Sequence, residues 1–162
     1  MTNISTCDLL DAHGPSGRAN ACDVQFHQYG GKLQFAGPVH TIKCHEDNTL
    51  VKQTLGESGN GGVLAVDGGG SLRYALLGDI IGEMAVKNGW AGVIIFGAVR
   101  DTVALKSLDV GIKALGANPR RSLKNGGGMV DAPVSFGNVT FKPGGWIYSD
   151  EDGVLFAESE LT

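Results

Sequence analysis

VLAVDGGGSLRYALLGDIIGEMAVKNGWAGVIIFGAVRD, residues 63–101, carries the reading of the fold. VLAVD (63–67) is a short apolar run that ends in a carboxylate, and GVIIFGAV (92–99) is a second apolar run. Runs of this length, rich in β-branched residues and bounded by glycine, read as buried strands. Between them GGGS (68–71) predicts a turn and SLRYALL (71–77) a helical segment. GDIIGEMAVKNG (78–89) predicts a helix with Ile80, Ile81, Met84 and Ala85 on one face. Strand, helix and strand in this order predict a right-handed parallel crossover. Units of that kind hold their ligands beyond the carboxyl ends of the strands.

Three charged residues fall on that rim: Asp67 after the first strand, and Arg100 and Asp101 after the second. A helix running back against the strands starts on the same rim, so the amides of Gly78, Asp79, Ile80 and Ile81 point toward the same space. Unpaired amides at a helix start favour a carboxylate or phosphate. Asp79 is the natural cap when no ligand is there. The adjacent Arg100 and Asp101 read either as a solvated turn or as a site holding an anion and a cation together.

Working outward, TCDLLDAH (6–13) predicts a short helix capped by Thr6, followed by an irregular passage through YGGK. LQFAGPVHTIKC (33–44) reads as extended, interrupted at Gly37-Pro38. DNTLVKQTLGES (47–58) predicts a helix with Leu50, Val51 and Leu55 near helical spacing, capped by Asn48 or Thr49. The last third, VSFGNVTFKPGGWIYSDEDGVLFA, alternates apolar and polar residues between turns and predicts antiparallel strands, with DEDG as a hairpin turn. NPRRSLKNGGG (118–128) reads as an exposed, flexible loop, with a phosphate or RNA contact as its alternative.

Composition bounds the function. A chain of 162 residues, 42% hydrophobic and 19% charged, buries one core and is expected to form a single domain over 1–162. The 26 glycines are spread along the chain and call for many tight turns. No stretch approaches the roughly 20 apolar residues of a spanning helix, and MTNISTCDLLDAH lacks the basic-then-apolar order of a secretory signal. The expectation is a cytoplasmic protein without membrane contact. A formal charge of −4 gives no broad reason to bind nucleic acid and suits a basic protein partner better. Cys7, Cys22 and Cys44 form no CxxC pair and read as reduced, mostly packed thiols.

Several short motifs fail on spacing. VDGGGS lacks the remainder of a phosphate-loop pattern and does not fit the dinucleotide fingerprint. CHEDN (44–48) packs four candidate ligands together, but neighbours on an extended segment face opposite ways. The histidines at 13, 27, 40 and 45 form no spaced metal pair. Asp150, Glu151 and Asp152 lack the order of a calcium loop. No Ser-His-Asp nucleophile is visible.

YGGKLQFAGPVHTIKCHEDN, the 63–101 block, LDVGIKALG and VSFGNVTFKPGGWIYSDEDGV together resemble, in order and spacing, the family of the regulator of ribonuclease activity A. That family includes the class II 4-hydroxy-4-methyl-2-oxoglutarate aldolases, which also decarboxylate oxaloacetate. The resemblance implies an α/β protein of the swivelling β/β/α type, with a parallel βαβ centre and antiparallel C-terminal strands. It also implies a homotrimer or a pair of trimers with clefts between subunits.

The aldolase branch has a Gly-Asp pair at a helix start before an Arg-Asp pair, matched here by Gly78-Asp79 and Arg100-Asp101. By that likeness the amides of Gly78, Asp79, Ile80 and Ile81 and the Arg100 guanidinium hold the carboxylate of a small 2-keto acid. Asp101 binds a divalent cation, and Asp79 orients water on it. One carboxylate among waters suits magnesium or manganese better than zinc. The sequence departs from the aldolase pattern at Ala104, where an acidic residue is usual. The other branch implies a different function, a non-catalytic regulator that binds and restrains ribonuclease E. A methyltransferase acting on menaquinone precursors finds no cofactor-binding fingerprint in the chain.

Overall fold

The apolar runs at 63–67 and 92–99 form the middle of a ten-stranded mixed sheet. The computed structural model describes residues 3–161. In chain order the first half comprises α1 (Thr6–His13), β1 (Asn20–Ala21), β2 (His27–Gln28), β3 (Phe35–Lys43), α2 (Thr49–Leu55), β4 (Val63–Asp67), β5 (Ala75–Leu77) and α3 (Asp79–Lys87). The second half comprises β6 (Gly92–Val99), α4 (Thr102–Leu105), β7 (Gly111–Ala117), β8 (Met129–Val130), β9 (Val134–Phe136), β10 (Val139–Phe141), β11 (Trp146–Ser149) and β12 (Val154–Ala157).

Strands β3, β4, β6 and β7 are adjacent and parallel, with Ala65 opposite both Thr41 and Ile94. β11, β12 and β1 extend the β3 side antiparallel, and β2 pairs antiparallel with β7. DEDG is the turn between β11 and β12, as expected, with Ser149 paired to Val154. Lys113 on β7 is buried, and its Nζ donates to the Asp150 carbonyl at 2.6 Å. Gln28 on β2 donates to the same carbonyl at 3.4 Å, so the β11–β12 turn reaches across to β7 and β2 and the sheet curls on itself.

Side chains alternate along a strand, and both faces of the parallel strands are covered. Leu64, Val66, Val93 and Ile95 pack with Leu55, Ile81 and Trp90 beneath α2 and α3. Val63, Ala65 and Ile94 pack with Phe35, Ile147 and Phe156 beneath Phe136 and Phe141 of the β9–β10 hairpin. This is the expected β/β/α layering. Helix α1 lies apart, with Leu9 and Leu10 against Tyr148 and Leu155.

Three local expectations are corrected. SLRYALL is not helical: its last three residues form β5, which pairs with β6 from Ala98 onward, just past the point where β4 ends opposite Phe96. Ala75, Leu76 and Leu77 are all buried, and burial between β6 and the 120–121 backbone overrides their helical propensity. Gly37-Pro38 does not interrupt β3. Pairing with β4 starts at Val39, so the missing Pro38 N–H removes no bond on that side. Ser5 rather than Thr6 caps α1, accepting from the Asp8 amide, while the Thr6 amide and hydroxyl both donate to Asp150.

Cys22 and Cys44 are buried and Cys7 is exposed. Burial, reinforced by Asp47 and Asp67, pushes the Cys44 thiol up to about 12. No helix among the described residues is long and apolar enough to cross a membrane.

Candidate active site

The rim is built where β5 and β6 end side by side. Leu77 pairs with Val99, and the Arg100 amide donates to the Leu77 carbonyl at 2.9 Å. β5 passes through Gly78 straight into α3, so the helix start and the Arg100-Asp101 pair face one another. The Gly78 backbone is extended, with φ −132° and ψ −162°, and asks nothing special of the residue type. Space does. A Cβ at Gly78 would stand 2.6 Å from Asp101 Oδ2 and 3.2 Å from Arg100 Cγ.

Asp101 sits in the left-handed region at φ 58° and ψ 41°, a conformation that costs a non-glycine residue about 1 kcal/mol or more. Its Oδ2 accepts from the Asp79 amide at 3.1 Å and lies 3.8 Å from Arg100 Nε. Arg100 is also held from the other side, where Nη1 donates to the Pro119 carbonyl at 3.4 Å. Gly78, not Asp79, is the N-cap of α3; Asp79 is the first helical residue, and its Oδ1 accepts from the adjacent Ile80 amide at 2.8 Å. The carboxylate of Asp101 thus rests on an amide and beside a guanidinium, the donors an incoming anion would use.

Residues 118–128 supply a wall the sequence reading did not foresee. The segment expected to be flexible is pinned by Asp47, whose Oδ1 accepts from the Thr49 amide and whose Oδ2 accepts from the Asn125 and Gly126 amides. Burial pushes the Asp47 carboxyl up, but these bonds outweigh it and hold its pKa below the usual aspartate value. Because Asp47 bonds the first amide of α2, the Asn48 side chain is free to accept from Lys124 Nζ at 2.7 Å. Arg121, Ser122 and Lys124, with Lys52 of α2, therefore line one cleft with Gly78–Ile81, Arg100 and Asp101.

Four cations, Lys52, Arg100, Arg121 and Lys124, face this cleft against two carboxylates, Asp79 and Asp101. Burial, followed by the nearby charges of Arg121 and Lys52, lowers the Lys124 pKa. A chain that is acidic overall thus concentrates positive charge at one place. The paired RR and the following K were a visible signal, but Ser122 and Asn48 carried none.

Other charged residues of the rim lie elsewhere. The Asp67 Oδ1 accepts from the Gly69 amide, and Asp67 lines a neighbouring concavity with His45 and Met129. Glu46 accepts from the Ser71 hydroxyl, so members of CHEDN do separate jobs.

No group of three or more His, Cys, Asp or Glu side chains suited to a metal occurs among the described residues. A closed zinc site therefore does not fit here. Magnesium and manganese need less: one or two carboxylates, with water and substrate oxygens filling the rest. Asp101, about a third exposed, and the neighbouring Asp79 fit that donor set.

A curled mixed sheet whose central strands end in this Arg-Asp pair, opposite a Gly-Asp helix start, defines an RraA-like α/β protein. A family profile described as RraA-like, Aldolase/RraA, matches residues 6–156, and the chain belongs to that family. Its structure is similar to that of the RNA-processing inhibitor RraA from Thermus thermophilis, with TM-score 0.94 and 43% identity over 99% of this chain and 96% of the other. A protein from Geobacillus kaustophilus HTA426 described as S-adenosylmethionine:2-dimethylmenaquinone methyltransferase is comparably similar, with TM-score 0.94 and 41% identity over 98% and 97%. Streptomyces coelicolor RraAS2 shares the fold, with TM-score 0.79 and 22% identity over 96% and 81%.

Proposed function

We propose that the chain is a divalent-metal-dependent lyase that cleaves 4-hydroxy-4-methyl-2-oxoglutarate to pyruvate and decarboxylates oxaloacetate, both through a pyruvate enolate. One observation carries this reading: Asp101 lies between the Asp79 amide and Arg100, so a cation ligand adjoins a ready anion site.

Arg100 and the amides of the α3 start bind the carboxylate of the 2-keto acid and fix its plane. A magnesium or manganese ion at Asp101 would supply Lewis-acid stabilisation of negative charge on the keto oxygen. Asp79 serves proton transfer, orienting the water that removes the 4-hydroxyl proton. The bond between C3 and C4 then breaks, its electron pair passes to the pyruvyl half as the enolate, and the other half leaves as a second pyruvate. A proton returned to C3 completes the reaction. Oxaloacetate reaches the same enolate by losing carbon dioxide. Arg100 stabilises the charge that develops in either case.

Ile80 of the cleft and Val103, two residues beyond Asp101, are 66% and 84% exposed and support an assembly that covers the rim, proposed as a homotrimer or a pair of trimers. The test is pyruvate release from both substrates with magnesium or manganese and with a chelator, after subtraction of metal-only decarboxylation. Chelator-sensitive release above background supports the lyase. Release equal to background rejects it.

The Thermus relative favours a second reading, a regulator that binds ribonuclease E without catalysis. An acidic chain suits a basic segment of such a partner. Salt-sensitive binding that is indifferent to Asp101→Asn would support it.

A further inference from the structure

Ser122 is only 8% exposed, yet it lines the cleft, and its hydroxyl meets no hydrogen-bond partner among the described residues. The two other buried side-chain atoms in that condition, Gln28 Oε1 and Ser149 Oγ, belong to residues outside this cleft. A buried hydroxyl left unpaired bears its full desolvation cost unless something supplies a partner. Its neighbours in sequence, Arg121 and Lys124, are on the same wall.

Charge points the same way. The α3 amides and Arg100 suffice for one carboxylate, and neither Arg121 nor Lys124 forms an ion pair among the described residues. Lys124 spends one N–H on Asn48 and keeps donors to spare. Burial, and then the charges of Arg121 and Lys52, lower its pKa against the opposing pull of Asp47. The four cations outnumber the two carboxylates of the cleft, an excess that favours a ligand carrying more than one negative charge.

We infer that Arg121, Ser122 and Lys124 form a second oxyanion subsite, which takes the distal carboxylate of a dicarboxylic 2-keto acid. The inference rests on the lyase reading for the placement of the first carboxylate and adds the residues that select substrate length and charge. Ser122 donates its hydroxyl to the distal carboxylate, and Arg121 and Lys124 neutralise it. A monocarboxylic 2-keto acid fills only the Arg100 end.

The test is calorimetric titration of the magnesium-loaded protein with 2-oxoglutarate, with pyruvate and with inorganic phosphate, using the parent, Ser122→Ala and Arg121→Gln. The parent should bind 2-oxoglutarate about tenfold or more tighter than pyruvate, as one added charge-assisted contact implies. Both variants should shrink that ratio, losing more affinity for 2-oxoglutarate than for pyruvate. Equal affinity for the two acids in the parent overturns the subsite, and so does an equal loss for both acids in the variants. Phosphate that displaces 2-oxoglutarate without that preference marks a free-phosphate site and also overturns it. Arg121→Gln, at an exposed position, keeps the test valid if Ser122→Ala fails to fold. Selectivity without pyruvate release from oxaloacetate sinks the lyase reading and leaves the subsite standing. Release without selectivity does the reverse.

Discussion

The Oδ2 atom of Asp101 accepts the backbone N–H of Asp79 at 3.1 Å, across the gap between the end of β6 and the start of α3. Two residues 22 apart in the chain meet because β5 and β6 end together. The carboxylate proposed to hold a cation therefore occupies the amide proposed to hold an anion. One group marks both halves of the site.

Asp101→Asn keeps an acceptor for the Asp79 amide and removes the negative charge. The fold should survive, since the residue lies at the rim and remains able to adopt the left-handed conformation that asparagine tolerates. Metal-dependent pyruvate release should fall by about 100-fold or more, the scale of losing several kcal/mol of charge stabilisation. Steady-state assays beside a thermal melt check this; parental turnover in the variant would remove Asp101 as the metal ligand.

Arg100→Lys keeps the charge and loses the planar fork. The guanidinium divides its donors between the Pro119 carbonyl and the space beside Asp101, which an ammonium cannot do with the same geometry. KM for oxaloacetate should rise by about tenfold or more, the worth of a charge-assisted bond. Michaelis–Menten kinetics at saturating magnesium read it out, and an unchanged KM would contradict the assignment.

Gly78→Ala tests the packing of the site. The extended backbone at Gly78 accepts alanine without strain, but the new methyl group would stand 2.6 Å from Asp101 Oδ2. Asp101 or the helix start must then shift. Thermal stability should change by about 1 kcal/mol or less, since the backbone is unstrained and the region borders solvent, while activity should fall by at least about tenfold. Equal losses in stability and activity would show that Gly78 serves the fold alone.

What was legible in the sequence follows from the length of each signal. The strands at 63–67 and 92–99 declare themselves as apolar, β-branched runs bounded by glycine, and the helix at 79–87 by its apolar face. Arg100, Asp101, Gly78 and Asp79 were legible with them, since strand ends and helix starts fix the rim. β5 was not, because Ala and Leu favour helices and only the neighbouring backbones make a strand of them. The wall of Arg121, Ser122 and Lys124 was hidden for a related reason: a Gly-rich basic stretch looks flexible until Asp47, more than 70 residues earlier, is seen to hold it.

That anchor yields a prediction with a definite pH sign. Asp47 is buried, and its hydrogen bonds to Thr49, Asn125 and Gly126 overcome burial and keep its folded pKa below the usual value near ~3.9. A carboxyl whose pKa is depressed on folding contributes stability that is complete above the unfolded pKa and is lost as pH falls through the folded one. Asp47→Asn cannot ionise and offers only one acceptor oxygen for amides on two sides. It should therefore cost on the order of 1–3 kcal/mol at neutral pH, and the gap to the parent should shrink only below about pH 4. Urea midpoints for both proteins from pH 7 down to about pH 2 measure the gap. A gap already closed at pH 6, or one that persists undiminished in the strongest acid, would show that the ionised carboxylate is not what holds the wall. The variant should also weaken 2-oxoglutarate binding more than pyruvate binding, because releasing Asn125 and Gly126 loosens the segment that presents Arg121, Ser122 and Lys124 while Arg100 stays anchored to β6.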